Sequence, residues 1–394
     1  MGLNKFSLVV VDSRILVEEF LNLPSLINRG DKNWIRPLDE EVEKIFDKSK
    51  NKFFKSGDAV RWLLYDSKGD VAGRMAAFYD KRTAAKNSQL TGGIGFFDCI
   101  NNKVAAHALF DAGKEWLKHR GMEAMDGPVN FGDRNSFWGC LVDGFSEPVF
   151  NMPYNPSYYR ELFESYGFMN YFNQYTYHID VYTGVQSPVL RKKGERLLKN
   201  TDYYFRTIKG MSDDEVAEAY MAIYNKAWAR FPGVSSIRIQ HAKALLDSIK
   251  PILDRRTFIY GYYKDEPVVF YIMVPDLNQI IYDFHGKLNF LNKAKLLYKL
   301  KIKKVSTRLI GLIFGVVPKH QGKGVESAIL LRFEKEIKDK GFPYSDLEMN
   351  WIGDFNPVMM KFVEQIGGKI HKTHVTFRYL FDRSKEFKRA DLSF

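Results

Sequence analysis

The chain has 394 residues, 45% of them apolar and 15% aromatic, with a formal net charge of +12. That composition excludes a disordered or fibrous protein, and the length favours two domains over a single core. Two cysteines, Cys99 and Cys140, without a C-x-x-C pair, exclude a disulfide framework and a thiolate zinc site and suit a cytoplasmic protein. No apolar run reaches the ~18 residues of a membrane span. The start MGLNKFSLVVVDS has too short an apolar run for a signal peptide. The excess of positive charge calls for an anionic partner.

Phe6–Asp12 reads as a first strand and Ser13–Ile27 as a helix broken by Pro24. A short helix over Glu40–Ser49 follows. Ala59–Tyr65 and Val71–Tyr79 form a hairpin, and Gly92–Ile100 is a further strand. Lys103–Arg120 is an amphipathic helix with Val104, Leu109, Trp116 and Leu117 on one face and Gly121 as its stop. Ala124–Val129 is a strand, Asn155-Pro156 opens a helix ending at Gly167, and Asn170–Asp180 is a strand. The insert Asn130–Tyr154 carries Phe131, Asp133, Asn135, Trp138 and Phe150. It reads either as a cover over a cleft in the second half or as an ordered loop sealing the interface.

Val181–Lys193, polar and with Gly184 and Pro188, is the expected linker between residues 1–181 and 182–394. Tyr203–Ile208 starts a second set of strands. Ser212 and Glu215 form a capping box that opens a helix through Trp228. A helix over Ile239–Lys250 and a hairpin of Phe258–Tyr263 with Val268–Val274 follow. Lys287–Arg308 is rich in lysine and has no acid. It reads as a surface helix held by its leucines. The alternative is a basic amphipathic helix that meets an anionic membrane, an acyl carrier protein or RNA.

The most informative stretch is Gly311–Leu331, GLIFGVVPKHQGKGVESAILL. An apolar strand stops at Pro318, a turn with Gly322 and Gly324 follows, and a helix begins. Glycines let backbone N–H groups converge, and the helix N-terminus adds its positive end, so the turn is an anion cradle. It matches neither the P-loop nor the dinucleotide-binding fingerprint. Tyr344–Trp351 is then a strand, Asn356–Ile366 a helix, and Lys369–Lys372 with His374–Phe381 a final hairpin. The two halves share this order of elements, including an Asn-Pro dipeptide and a glycine some eleven or twelve residues later, which suggests two copies of one fold. The first copy has Cys99-Ile100-Asn101-Asn102 where the second has its glycines.

The residues Val316 to Gly324 resemble motif A of the GNAT N-acetyltransferase superfamily, Gln/Arg-x-x-Gly-x-Gly/Ala. Gln321 takes the first place and Gly324 the central one, while Glu326 departs from the last. Over nearly its full length the chain also resembles a bacterial family of tandem GNAT-like proteins. The matching stretches are 32–38, 52–54, 73–77, 127–131, 141–145 and 154–159 in the first half, and 224–228, 275–278 and 348–352 in the second. The resemblance implies a mixed α/β fold of two tandem GNAT-like domains, residues 1–181 without the pyrophosphate loop and 182–394 with it.

By the same resemblance the activity is N-acyl transfer from acetyl-CoA or another acyl-CoA to an amine, with no metal. The co-substrate would be held by Val316, Val317, Gln321, Gly322, Lys323, Gly324 and Val325, with Asn356 at the CoA arm. Glu348 is the candidate base, with a salt-bridged strand carboxylate as its other reading, and Asp283 with His285 is a second polar cluster. The family's acid tyrosine is replaced by Val363, and by Phe163 in the first half, which leaves Tyr271, Tyr282 or Tyr344 for that role. Two alternatives remain open: a non-catalytic binding protein that keeps the fold, and a transferase whose donor is aminoacyl-tRNA or acyl carrier protein.

Overall fold

The computed structural model describes residues 6–85, 89–132, 134–184, 186–227 and 236–390. In the first half, β1 (Ser7–Val10), α1 (Arg14–Ile27) and α2 (Asp39–Phe46) lead into β2 (Gly57–Tyr65) and β3 (Val71–Asp80). Then come α3 (Lys81–Ala84), β4 (Thr91–Cys99), α4 (Lys103–Lys118), β5 (Ala124–Gly127), β6 (Cys140–Asp143), α5 (Tyr159–Tyr166) and β7 (Met169–Asp180). The second half contains α6 (Pro188–Leu197), β8 (Tyr203–Thr207), α7 (Asp213–Ala227), α8 (Ile239–Ile249), β9 (Phe258–Tyr263) and β10 (Glu266–Pro275). It continues with α9 (Asn278–Ile281), α10 (Phe290–Leu297), β11 (Arg308–Val316), α11 (Val325–Ile337), β12 (Asp346–Gly353), α12 (Pro357–Gln365) and β13 (Lys369–Leu380).

All the strands join one mixed sheet, in the order β1-β2-β3-β4-β5-β13-β7-β12-β11-β10-β9-β8, with β6 on β13. Its two wings are mirror counterparts. Each is an antiparallel run of four strands followed by a parallel fifth, β4 with β5 and β11 with β12. At the centre the last strands are exchanged: β7 pairs with β12 of the second half, and β13 with β5 of the first. The repeat seen in the sequence is thus a repeat of topology.

Several local expectations are corrected. Pro24 does not break α1. Lacking an N–H, it leaves the Phe20 carbonyl, one turn back, without its helical donor, and the Arg74 guanidinium donates there instead while pairing with Asp98 at 2.7 Å. The stretch expected as a linker runs into α6, with Ser187 as its N-cap and Pro188 at its first turn. Asn155 opens no helix. Its side chain clamps the Leu141 backbone, accepting from the N–H at 2.7 Å and donating to the carbonyl at 3.1 Å. The expected final hairpin is one long strand, β13, because nothing between Lys372 and His374 turns the chain. The capping box of α7 is present in both directions, Ser212 N–H to Glu215 and Glu215 N–H to Ser212 Oγ. Trp228 and Asp133 lie outside the described residues.

Candidate active site where two parallel strands part

Strands β11 and β12 pair only from Arg308–Asp346 to Gly311–Met349. Beyond that point β11 stays with β10 and β12 stays with β7, so the two strands part. Both bulge at the apex. Leu312 is an extra residue between Gly311, opposite Met273, and Ile313, opposite Ile272. Asn350 and Trp351 together span the interval between Met349, opposite Tyr177, and Ile352, opposite Tyr175. Bulges re-aim backbone and side chains next to a site. The Val317 N–H donates to the Val268 carbonyl at 2.8 Å, so it faces β10. Because peptide groups alternate along a strand, Val316 and Phe314 present theirs to the gap, and the Gln321 side chain donates to the Val316 carbonyl at 3.1 Å.

The face of the sheet that carries α11 and α12 holds Tyr271, Phe314, Met349 and Tyr177. The Phe314 ring stacks on Phe362 of α12, with centroids 5.5 Å apart, and meets Tyr271 edge-on. The hydroxyls of Tyr271 and Tyr177 and the Asn350 amide oxygen are buried with no hydrogen-bond partner among the described residues. A Cβ on Gly311 would sit 3.2 Å from the Tyr271 hydroxyl, which places that phenol against the apex. Burial pushes the Tyr271 pKa up, so the phenol stays protonated. Buried polar groups are almost always paired, so three such atoms around one apex mark a place built for polar contact.

The expected anion cradle lies past the end of β11. Gly322 and Gly324 have φ of +72° and +100°, a region that disfavours a side chain. They differ in surroundings. A Cβ on Gly322 meets nothing within 4 Å, whereas one on Gly324 would lie 2.7 Å from the Lys193 carbonyl oxygen of α6. Gly324 is therefore also a helix-packing residue, matched by Gly194, whose Cβ would strike Ser327. No side chain caps α11 at Gly324. The Glu326 carboxylate, in the first turn of α11, accepts the Gly322 N–H at 3.0 Å, so the chain's own anion uses the turn. Lys323 is exposed beside it, Val325 is buried, and Asn356 caps α12 by accepting the Met359 N–H at 3.1 Å.

The opposite face of the sheet carries charge. Glu348, 1% exposed, accepts from the Lys372 ammonium at 3.0 and 2.8 Å. The Arg308 guanidinium reaches Glu348 at 3.6 Å, Asp276 at 3.3 Å and Glu147 at 3.9 Å. Burial, opposed by Arg308, pushes the Asp276 carboxyl up to about 7. Burial holds Lys372 below the usual lysine range against the pull of Glu348. His371 lies 3.9 Å from Glu348 and bonds Ser146, and His178 bonds Asp346 at 2.8 Å. The first-half insert closes over this face: Phe150 N–H donates to Asp276, Asn278 donates to the Pro148 carbonyl, and Trp351 donates to the Arg134 carbonyl. Glu348 and the apex thus meet through one strand, from its two sides.

Other candidates fall elsewhere. Tyr344 bonds Asp254, and Tyr282 is exposed under Lys299. Asp283 pairs with Lys295 and Lys299, and His285 does not join it in any ion pair among the described residues. Arg308, Lys372, Asp276 and Asn350 had no role assigned from the sequence, although Asp276 and Asn350 fall in the stretches 275–278 and 348–352 and Arg308 ends the lysine-rich run. Their further signal was a polar residue inside or at the end of an apolar strand. Among the described residues no group of three or more His, Cys, Asp or Glu is placed to hold a metal, and no helix is long and apolar enough to cross a membrane.

A mixed sheet in which each half lays four antiparallel strands and a parallel fifth, with the last strands exchanged between the halves, is the GNAT fold in tandem form. The chain is similar to the tandem GNAT protein from the clavulanic acid biosynthesis pathway, with a TM-score of 0.54 at 10% identity over 95% of this chain and 98% of that one. It is also similar to a GCN5-related glucosamine N-acetyltransferase region of a fungal multi-domain β-N-acetylglucosaminidase, with a TM-score of 0.54 at 12% identity. That match covers 96% of this chain but only 38% of the fungal one. In sequence it is 27% identical over 372 residues to the bacterial ceramide synthase of Caulobacter vibrioides, covering 93% of this chain and 96% of that protein. It is 26% identical over 366 residues to protein YghO of Escherichia coli, covering 91% of each. No protein-family model matches the chain.

Proposed function

We propose that the protein is an N-acyltransferase that moves an acyl group from an acyl-CoA thioester to an amine. The observation that carries this reading is the parting of β11 and β12 after Gly311 and Met349, with the Tyr271 hydroxyl, unpartnered among the described residues, at the apex. The gap would admit the pantetheine arm along the free backbone of Phe314 and Val316. The pyrophosphate would take the Gly322–Gly324 turn at the start of α11, displacing the Glu326 carboxylate, with Lys323 at hand. Asn356 is committed to its cap and would contact the arm only through its remaining groups.

In this reading the amine nitrogen attacks the thioester carbon from the charged face, and the C–S bond breaks. The amine's proton leaves toward Glu348 and its cluster. The Tyr271 hydroxyl gives its proton to the departing thiolate and regains one from solvent. A ceramide is the amide of a long-chain amino alcohol and a fatty acid. The ceramide synthase relative therefore supports a long-chain amino alcohol as acceptor and a fatty acyl thioester as donor.

The test incubates the purified chain with acetyl-CoA or palmitoyl-CoA and with sphinganine or a short amine, reading free thiol and amide product. Thiol release that needs both partners, fastest with the long-chain pair, supports the reading. No thiol release from any pair overturns it. A second reading, binding without turnover, is favoured by one observation: Glu326 occupies the cradle in place of the motif's small residue. Calorimetric titration with CoA separates the two, since that reading requires binding with no product.

A further inference from the structure

The lysine-rich segment ahead of β11 is apolar on two opposite sides. Leu296 and Leu300 face inward and pack with Ile280, Ile281 and Phe284, and with Ile35 and Leu38 of the first half. The sequence expectation of a surface helix held by its leucines holds for this side alone. On the outer side Phe290 is 82% exposed, Leu291 75% and Ile302 70%, and Leu297 and Tyr298 are exposed with them. Phe290 with Leu297 and Leu291 with Tyr298 stand seven apart, and Ile302 lies four beyond Tyr298, so through α10 and the wider π-type turn Tyr298–Ile302 they form one outward stripe. Of the lysines, Lys287 pairs with Asp39, and Lys295 and Lys299 pair with Asp283. Lys301 donates to the Leu253 carbonyl. Lys293, Lys303 and Lys304 are exposed beside the stripe and form no ion pair among the described residues.

We propose that this face docks on an anionic lipid bilayer. An apolar stripe set between lysines fits a surface that is apolar below its headgroups and negative at them. A second copy of the chain fits less well. A twofold contact would set the same patch against itself, lysine toward lysine, with no acid between Lys287 and Arg308 to relieve it. The segment continues directly into Arg308, which begins β11 and reaches Asp276 and Glu348. Docking would therefore hold the charged face of the sheet close to the bilayer. The inference stands on this surface alone and does not need the acyl-transfer reading.

The test is co-flotation of the full chain with phosphatidylcholine vesicles, with and without phosphatidylglycerol. Binding is expected only with phosphatidylglycerol, and it should weaken steeply in about 1 M salt, where the Debye length is about 3 Å. The double substitution Phe290→Ser and Leu291→Ser should weaken it by about tenfold or more. Lys303→Gln and Lys304→Gln should each cost roughly fivefold. All four side chains lie in solvent, so thermal unfolding of the variants should match the parent. Absence of binding, equal binding to neutral vesicles, or full binding by the variants overturns the proposal. So does a dimer in sedimentation velocity that Phe290→Ser dissociates, which would make a second copy the occupant.

Discussion

Lys372 of β13 reaches across β7 to Glu348 of β12, and the two meet at 2.8 Å with both side chains almost fully buried. A strand of the second half thereby delivers its cation over a strand of the first half, so the pair exists only because β7 and β13 are exchanged. Removing one partner leaves an uncompensated buried charge. Glu348→Gln should lower the unfolding free energy by about 3–5 kcal/mol, and adding Lys372→Met should recover part of it. Urea titration measures both. If Glu348 takes the amine's proton, the double variant, though more stable than the single one, should still lose about 100-fold in kcat/KM.

Tyr271 should respond in the opposite sense. Its hydroxyl is buried and has no hydrogen-bond partner among the described residues, so Tyr271→Phe should leave stability unchanged or raise it by about 1 kcal/mol. If the phenol protonates the thiolate, kcat should fall by about 10²-fold with little change in KM. Thermal unfolding and steady-state thiol release read the two effects separately.

Gly322 and Gly324 have similar backbones but different neighbours, and substitutions should separate binding from packing. Gly322→Ala should cost about 1 kcal/mol of stability from its positive φ alone and weaken CoA binding. Gly324→Val should destabilise the contact of α11 with α6 as well, through the Lys193 carbonyl, and so is a poor probe of binding. Glu326→Gln replaces the competing carboxylate by a neutral, more weakly held acceptor and should tighten CoA binding severalfold in calorimetry.

His374 sets a pH dependence of stability. It is buried, its Nε2 lies 3.1 Å from the Pro153 carbonyl, and burial holds its pKa down to about 4. The unfolded histidine titrates near 6.5, so between about 6.5 and 4 the unfolded chain binds a proton that the folded chain refuses. The stability this group confers is complete above about pH 6.5 and falls toward pH 4, by up to about 3 kcal/mol. His374→Gln should flatten that part of the profile in denaturant titrations at stepped pH.

Much of this molecule is local in origin and so was legible along the chain. The strand, glycine turn and helix of 311–331, the capping box at Ser212 and the repeated order of elements depend on neighbours a few residues apart. α6 carried a signal as well, Ser187 followed by Pro188, but its polar composition read as a linker. β6 was too short, at four residues, to stand out in the insert.

The sequence by itself determined that each half builds the same strand order and that the second has a glycine turn between strand and helix, because turn chemistry and hydrophobic periodicity are short-range. Only the tertiary structure decided which groups meet at the parting of β11 and β12. The Tyr271 hydroxyl lies under Gly311 through the pairing of β10 with β11, Lys372 crosses to Glu348 over the exchanged strand β7, and the first-half insert seats Phe150 on Asp276, 126 positions away. No local pattern encodes that pairing, since a strand's alternation fixes which side chains share a face but not which strand lies beside it. The same holds for the lysine-rich segment. Its sequence shows leucines among lysines, and only packing decides that Leu296 and Leu300 are covered while Phe290 and Leu291 stay exposed.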